Sequence, residues 1–195
     1  MQDIILASQS PRRKMLLEWA EVPFEIIVKP TPEDFPEQLP IAEVAEYIAR
    51  EKAKAVQAFV QEAYHGQYAN KTILAADTIV VLGDTVIGKP KDREDAIRIL
   101  ISLSGKQHSV ITGVVILHPE GEIAFSDRTE VSFYPLTEEQ IVFYVDKYQP
   151  YDKAGAYAIQ EWIGVVGIQS VKGDFYNVMG LPVSRVIQAL HTINK

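Results

Sequence analysis

"TILAADTIVVLGDTVI", residues 72–87, is the stretch from which the fold is read. The apolar run from Thr72 to Leu82 has the composition of a central strand, and "LGDT" reads as a two-residue hairpin turn into a second, short strand, Thr85 to Ile87. Upstream, the spacing predicts a strand at Ile4 to Ala7, a helix from Pro11 to Ala20, a short strand at Phe24 to Val28 and a long helix from Ile41 to Tyr64. Between the last two, "VKPTPEDFPEQLP" holds four of the eleven prolines and reads as a loop. Downstream, Asp92 caps a helix to about Leu103 that Gly105 closes, and strands follow at Ser109 to His118 and Ile123 to Tyr134. Thr137 with Gln140 forms a capping box for a helix to about Tyr148. Strand-like segments at Val165 to Val171 and Phe175 to Val178 precede a last helix, Pro182 to His191. This alternation predicts an α/β or α+β fold, with a central sheet and helices packed on it.

The 195 residues suffice for one domain, spanning 1–195, or for one domain with a small lobe. With 47% hydrophobic and 23% charged residues the composition is that of an ordinary soluble globular protein. No apolar run approaches the roughly 20 residues needed to cross a bilayer, so no membrane span is expected. Asp3 stands where a secretory signal would carry cations, which gives a cytoplasmic expectation. The absence of cysteine excludes disulfides, thiolate metal sites and a cysteine nucleophile. A net charge of −7 argues against a broad nucleic-acid surface, so any anion must be met by a local cluster of cations.

Such a cluster stands in "ILASQSPRRK", residues 5–14. Ser10 is a good N-cap and Pro11 suits the first helical position, which places Arg12 and Arg13 in the first turn, where the helix dipole disfavours cations. Two readings fit. Either a phosphate binds there, met by Ser8, the free N–H groups and the guanidinium forks, or Ser10 merely caps and the cations are solvated or paired with acids. In the long helix, Ile41, Ala45, Ile48, Ala55 and Phe59 line an apolar stripe with Lys52 on it. Its ammonium either snorkels past the core edge or points into a cleft toward phosphate or a carboxylate.

Asp77 interrupts the central strand, where an ionised carboxylate is costly unless paired, hydrogen-bonded or metal-bound. It reads as a strand-end acid satisfied by backbone donors, as a Mg²⁺ ligand, or as a general base on a rigid mount. Lys89, locked between Gly88 and Pro90, is either a cation aimed from a loop or an exposed hairpin lysine. "YDKAGAYAIQ", residues 151–160, ends in Gln160, which can read a base edge; by itself the segment also fits a buried turn before a short helix. His108 and His118 lack partners at metal-binding spacing, and His65 and His191 read as helix-end residues. Neither a P-loop nor a dinucleotide fingerprint occurs.

Six stretches, "LASQSPRR", "AADTIVV", "GKP", "LSGKQHSVITGV", "DKAGAYAIQ" and "GDFYNVMGLPVS", resemble in order and spacing the motifs of the Maf family of nucleoside triphosphate pyrophosphatases, whose first members were named for septum formation. The resemblance runs from Leu6 to the last helix. It implies an inosine-triphosphatase-like α/β fold, an elongated mixed sheet flanked by helices with two lobes around a cleft. The implied reaction is hydrolysis between the α and β phosphates, yielding a nucleoside monophosphate and pyrophosphate, with a divalent cation as cofactor: Mg²⁺, or Mn²⁺ or Co²⁺ in its place.

On this resemblance Ser8, Arg12 and Arg13 fall on the phosphate-binding motif, Lys52 and Lys89 on the cleft lysines, Asp77 on the proton acceptor, and Glu33 near an acidic position. Asp77 and Glu33 would hold the metal. Arg12, Thr78 and Gln160 resemble the branch acting on dTTP and UTP, whereas a sister branch acting on methylated GTP has Gln where Thr78 stands. Ala158 departs from the pattern, glycine being commoner there. Family analogy alone points to a homodimer. A nucleotide sensor that regulates cell division without catalysis is the rival expectation, and it would release no pyrophosphate.

Overall fold

The computed structural model describes residues 3–64, 68 and 70–193. Among these residues, seven strands, β1 (Ile4–Leu6), β2 (Phe24–Ile26), β3 (Ile73–Leu82), β4 (Thr85–Ile87), β5 (Gln107–His118), β6 (Gly121–Phe133) and β7 (Ile168–Lys172), are interspersed with helices. Their hydrogen-bonded order is β2-β1-β3-β5-β6-β7, with β4 on β3. β1 pairs in parallel with β2 and β3, while β4 on β3 and β7 on β6 are antiparallel, so the sheet is mixed as expected. The helices are α1 (Pro11–Trp19), α2 (Ile41–Ala63), α3 (Arg93–Leu103), α4 (Glu138–Tyr148), α5 (Trp162–Gly167), α6 (Phe175–Met179) and α7 (Val183–Ile193). No helix among the described residues is long and apolar enough to cross a membrane.

The chain divides into two compact units. The first comprises Met1–Asp77, Thr112–Asp127 and Gly180–Lys195. Its core is one apolar cluster in which Ile5 and Ala7, Ile73 and Ala75, and Val115 and Leu117 meet Ala49, Ala53, Val56 and Val60 of α2. Small residues on α2 let the helix sit close to the strands, and Gly113 on β5 takes this furthest. A Cβ there would lie 2.1 Å from the Glu46 backbone nitrogen, so only glycine admits this approach. Leu16 and Leu17 anchor α1 by full burial. Truncating either to alanine would cost about 2–5 kcal/mol.

The second unit comprises Thr78–Ile111 and Arg128–Met179. Here α3 packs on α4 and on a short 3-10 turn, Ala154–Ala156. Asp92 Oδ1 accepts the Asp95 N–H at 2.8 Å, and the Thr137–Gln140 capping box is formed, so the two helix starts read from sequence are confirmed in their chemistry. Trp162 opens α5 edge-on to Phe143, ring centres 4.8 Å apart.

Two strand assignments need correction. Residues 165–167 belong to α5, and β7 begins only at Ile168; residues 175–179 form α6. "WIGVVG" is β-branched and reads as strand, but its backbone turns helical after Glu161, whose carbonyl accepts from Gly164 and Val165. In "DFYNVM" the decisive residue is Asp174, which accepts from the N–H groups of Tyr176 and Asn177 and so starts a helix despite two aromatic residues.

Candidate active site

The first unit builds its polar cluster where β1 ends and α1 begins. Ser10 caps α1 by accepting the Arg13 N–H at 3.4 Å, as its residue type predicts. Ser8 Oγ accepts from the Ser10 N–H and from Arg13 Nη1, each at 3.2 Å. Arg13 is buried, and its Nε donates to the Gly180 carbonyl at 2.8 Å. Burial lowers the guanidinium's affinity for its proton; Asp77 opposes this, Arg12 adds to it, and Glu33 opposes it. Of the alternatives open at the sequence level, the solvated one is excluded for Arg13. Its fork is held by oxygens and it feels both nearby carboxylates. Arg12 beside it is half-buried.

Asp77 reaches this region from β3 by simple alternation. Ile73 and Ala75 face α2, so Asp77, two residues on, faces α2 as well. Pairing with β1 runs only from Ile73 to Leu74, leaving Asp77 beyond the last register pair yet well inside its own strand. A strand-end position is therefore excluded. Lys52 Nζ meets Asp77 Oδ1 at 2.6 Å and Glu33 Oε1 at 2.7 Å, with the lysine and aspartate side chains only 17% and 11% exposed.

The apolar stripe of α2 differs in one respect from that read in the sequence. Its fully buried line is Val44, Ala45, Ile48, Ala49, Ala53, Val56 and Val60, whereas Ala55 and Phe59 are half-buried, so Lys52 flanks the stripe rather than lying on it. From that edge its stem passes the core and its ammonium ends between two carboxylates.

Two carboxylate oxygens converging on one cationic nitrogen form a hard-oxygen donor set. No group of three or more His, Asp or Glu able to hold a metal occurs among the described residues. The pair fits Mg²⁺, which keeps several waters and takes one or two carboxylates together with substrate phosphate oxygens.

The second unit holds the remaining expected residues. Thr78, half-buried on β3, follows Asp77 directly, and Lys89 is exposed after β4. The neighbouring Gly88 carbonyl accepts the Gly155 N–H at 3.1 Å. Gly155 has φ +72, and an added Cβ would press to 2.9 Å of Val80, so the "KAGAY" segment docks there only because it carries glycine. Gln160 is exposed in a four-residue turn, Ala158 to Glu161, closed by the Glu161 N–H on the Ala158 carbonyl at 3.1 Å.

Sequence reasoning missed the residues around that turn. Tyr144 on α4 accepts the Ala158 N–H at 3.1 Å and donates to Glu161 Oε2. Lys153, almost buried, lies 3.7 Å from Glu161 and 2.7 Å from Asp152. A buried tyrosine in an amphipathic helix gives no sequence signal beyond core; Glu161, adjoining Gln160, was the available hint. His108 bonds the Tyr157 hydroxyl through Nε2 at 2.8 Å, and His191 lies in the last turn of α7. His65 lies outside the described residues.

Cations, a short hydroxyl loop and a strand-mounted acid in one cluster can bind a polyphosphate and activate water beside it. The comparisons agree with that chemistry. The family model described as Maf-like protein matches residues 3–193. A protein of Cytophaga hutchinsonii named dTTP/UTP pyrophosphatase is 50% identical over 188 residues, covering 96% of this chain and 83% of its own. Proteins of the same name from Bacteroides thetaiotaomicron and Porphyromonas gingivalis are 47% and 48% identical, over 94% and 92% of this chain and 92% and 88% of theirs. Among solved structures, the Ham1 protein of Staphylococcus aureus matches with TM-score 0.51 at 15% identity over the whole of both chains, a likeness of fold alone.

Proposed function

The chain belongs to the Maf family, and from that premise we propose that it is a nucleoside triphosphate pyrophosphatase acting on dTTP and UTP, and on modified pyrimidine nucleotides of the same shape. The observation that carries the reading is the Lys52 ammonium held between Asp77 and Glu33, in the same cluster as the buried Arg13.

In this proposal Arg12, Arg13, Lys52 and Lys89 neutralise the triphosphate, and Ser8 with the first N–H groups of α1 adds neutral donors. Asp77 orients water and takes its proton as the oxygen attacks the α-phosphorus. The bond from that phosphorus to the bridging oxygen breaks and pyrophosphate leaves. Asp77 and Glu33 would hold the divalent cation, which when bound would neutralise charge on the phosphates. Rearrangement of the resting ion pairs then frees the carboxylates, as Lys52 turns from them toward phosphate. Thr78 and Gln160 read the pyrimidine.

The proposal takes residues 1–195 as one domain, as the match over 3–193 supports. It sets the enzyme to work in the cytoplasm on free nucleotides rather than nucleic acid, which the net charge of −7 supports, and as a homodimer by family analogy. The test is pyrophosphate release across canonical and modified nucleotides with Mg²⁺, Mn²⁺ and Co²⁺, and after chelation. dTTP and UTP should lead and chelation should abolish turnover. Binding without pyrophosphate release would replace the enzyme with a sensor, and a preference for methylated GTP would overturn the substrate.

A further inference from the structure

Gln160 is an exposed side chain on a turn, and such a residue is a poor reader of a base unless its backbone is held. A glutamine amide presents donor and acceptor in either order, so it serves thymine or uracil as readily as cytosine until its position is constrained. Ordering a loose turn on binding would also consume affinity. The structure supplies the constraint from outside the turn. Tyr144 Oη accepts the N–H of Ala158, the first residue of the turn, and donates to the carboxylate of Glu161, the fourth. Lys153 lies 3.7 Å from that carboxylate and further limits its swing.

The ring of Tyr144 is fully buried and stacks on Tyr148, centroids 5.0 Å apart at 24°. Packing accounts for the ring and leaves the hydroxyl unexplained. A position needing only volume is better filled by phenylalanine, which brings no polar atom into the core. The hydroxyl is accounted for by the two ends of the turn that it joins.

We propose that Tyr144 is a specificity-positioning residue, which grips both ends of the Ala158–Glu161 turn and so fixes the angle at which Gln160 meets the pyrimidine. The inference rests on the assignment of Gln160 to the base and adds the residue that sets it.

The test is kcat and KM for dTTP, UTP and dCTP in the full chain, for wild type, Tyr144→Phe, Gln160→Ala and the double variant. Tyr144→Phe should raise KM for dTTP and UTP about tenfold, hold kcat within about twofold, and narrow the preference for dTTP over dCTP. Added to Gln160→Ala, it should change selectivity no further, since both act through one side chain. Selectivity equal to wild type in Tyr144→Phe, or effects that multiply in the double variant, would overturn the proposal while leaving Gln160 in its role. Unchanged selectivity in Gln160→Ala would overturn both. Should Tyr144→Phe fail to fold, Glu161 decides: Glu161→Gln keeps an acceptor for the hydroxyl and should behave as wild type, Glu161→Ala should lose selectivity, and wild-type selectivity in Glu161→Ala would end the idea.

Discussion

Lys52 Nζ lies 2.6 Å from Asp77 Oδ1, so the proposed base is held in the resting protein by a cation proposed to meet the phosphates. Each is largely withdrawn from water, where the attraction is strong but desolvation opposes it. On the proposed function the lysine would exchange carboxylate for phosphate, and the aspartate would exchange ammonium for metal and water.

Asp77→Asn keeps the shape and an oxygen for Lys52 while removing basicity. Pyrophosphate release from dTTP should fall at least about 100-fold, with thermal unfolding little changed, because Glu33 still pairs the ammonium. Wild-type turnover in this variant would remove Asp77 from the mechanism.

Arg13→Lys retains the charge and loses the fork that joins Ser8 Oγ to the Gly180 carbonyl. Urea unfolding should register a loss of about 1–3 kcal/mol, and turnover should drop with it. A lysine variant equal to wild type in both would show that charge alone matters at this position.

Arg12, Arg13, Lys52 and Asp77 were legible beforehand because each breaks a local rule: cations in a first helical turn, a lysine read on an apolar stripe, aspartate inside a strand; Glu33 breaks none and came only from the family resemblance. Such violations concentrate where function requires them. Gly180 was hidden because its contribution is a backbone carbonyl, which no residue type encodes. Tyr144 was hidden for the opposite reason, since a buried aromatic residue on a helix satisfies every rule of core packing. The two strand errors share one cause. Val165 to Gly167 and Phe175 to Val178 carry β-favouring side chains, and the hydrogen bonds at Glu161 and Asp174 outweigh that weak preference.

Gly113→Ala tests the close seat of α2. The added methyl would collide with backbone at Ala45 and Glu46, which cannot swing aside as a side chain could. Overpacking of this kind costs about 1–3 kcal/mol or more, and α2 carries Lys52, so turnover should fall along with the unfolding midpoint. A soluble, fully active alanine variant would contradict the contact.

His108 predicts an acid-sensitive second unit. Burial, only partly opposed by Glu130, lowers its pKa from 6.5 to about 4, so the folded chain keeps the imidazole neutral where the unfolded chain already protonates it. Its contribution to stability is intact above pH 6.5 and is lost as pH falls from 6.5 toward 4, by about 3 kcal/mol in all. His108→Gln should flatten that part of the curve when unfolding free energy is measured at pH 6.5, 5.5 and 4.5. Parallel curves for the two proteins would show that the group titrates normally.

The edge-on pairing of Trp162 with Phe143 gives the molecule an optical reporter of its own. The indole begins two residues past Gln160, and the chain has only one other tryptophan, Trp19, 62% exposed. With Trp19→Phe, tryptophan emission would come from one indole beside the turn proposed to meet the base, and nucleotide occupancy could be followed there without a label.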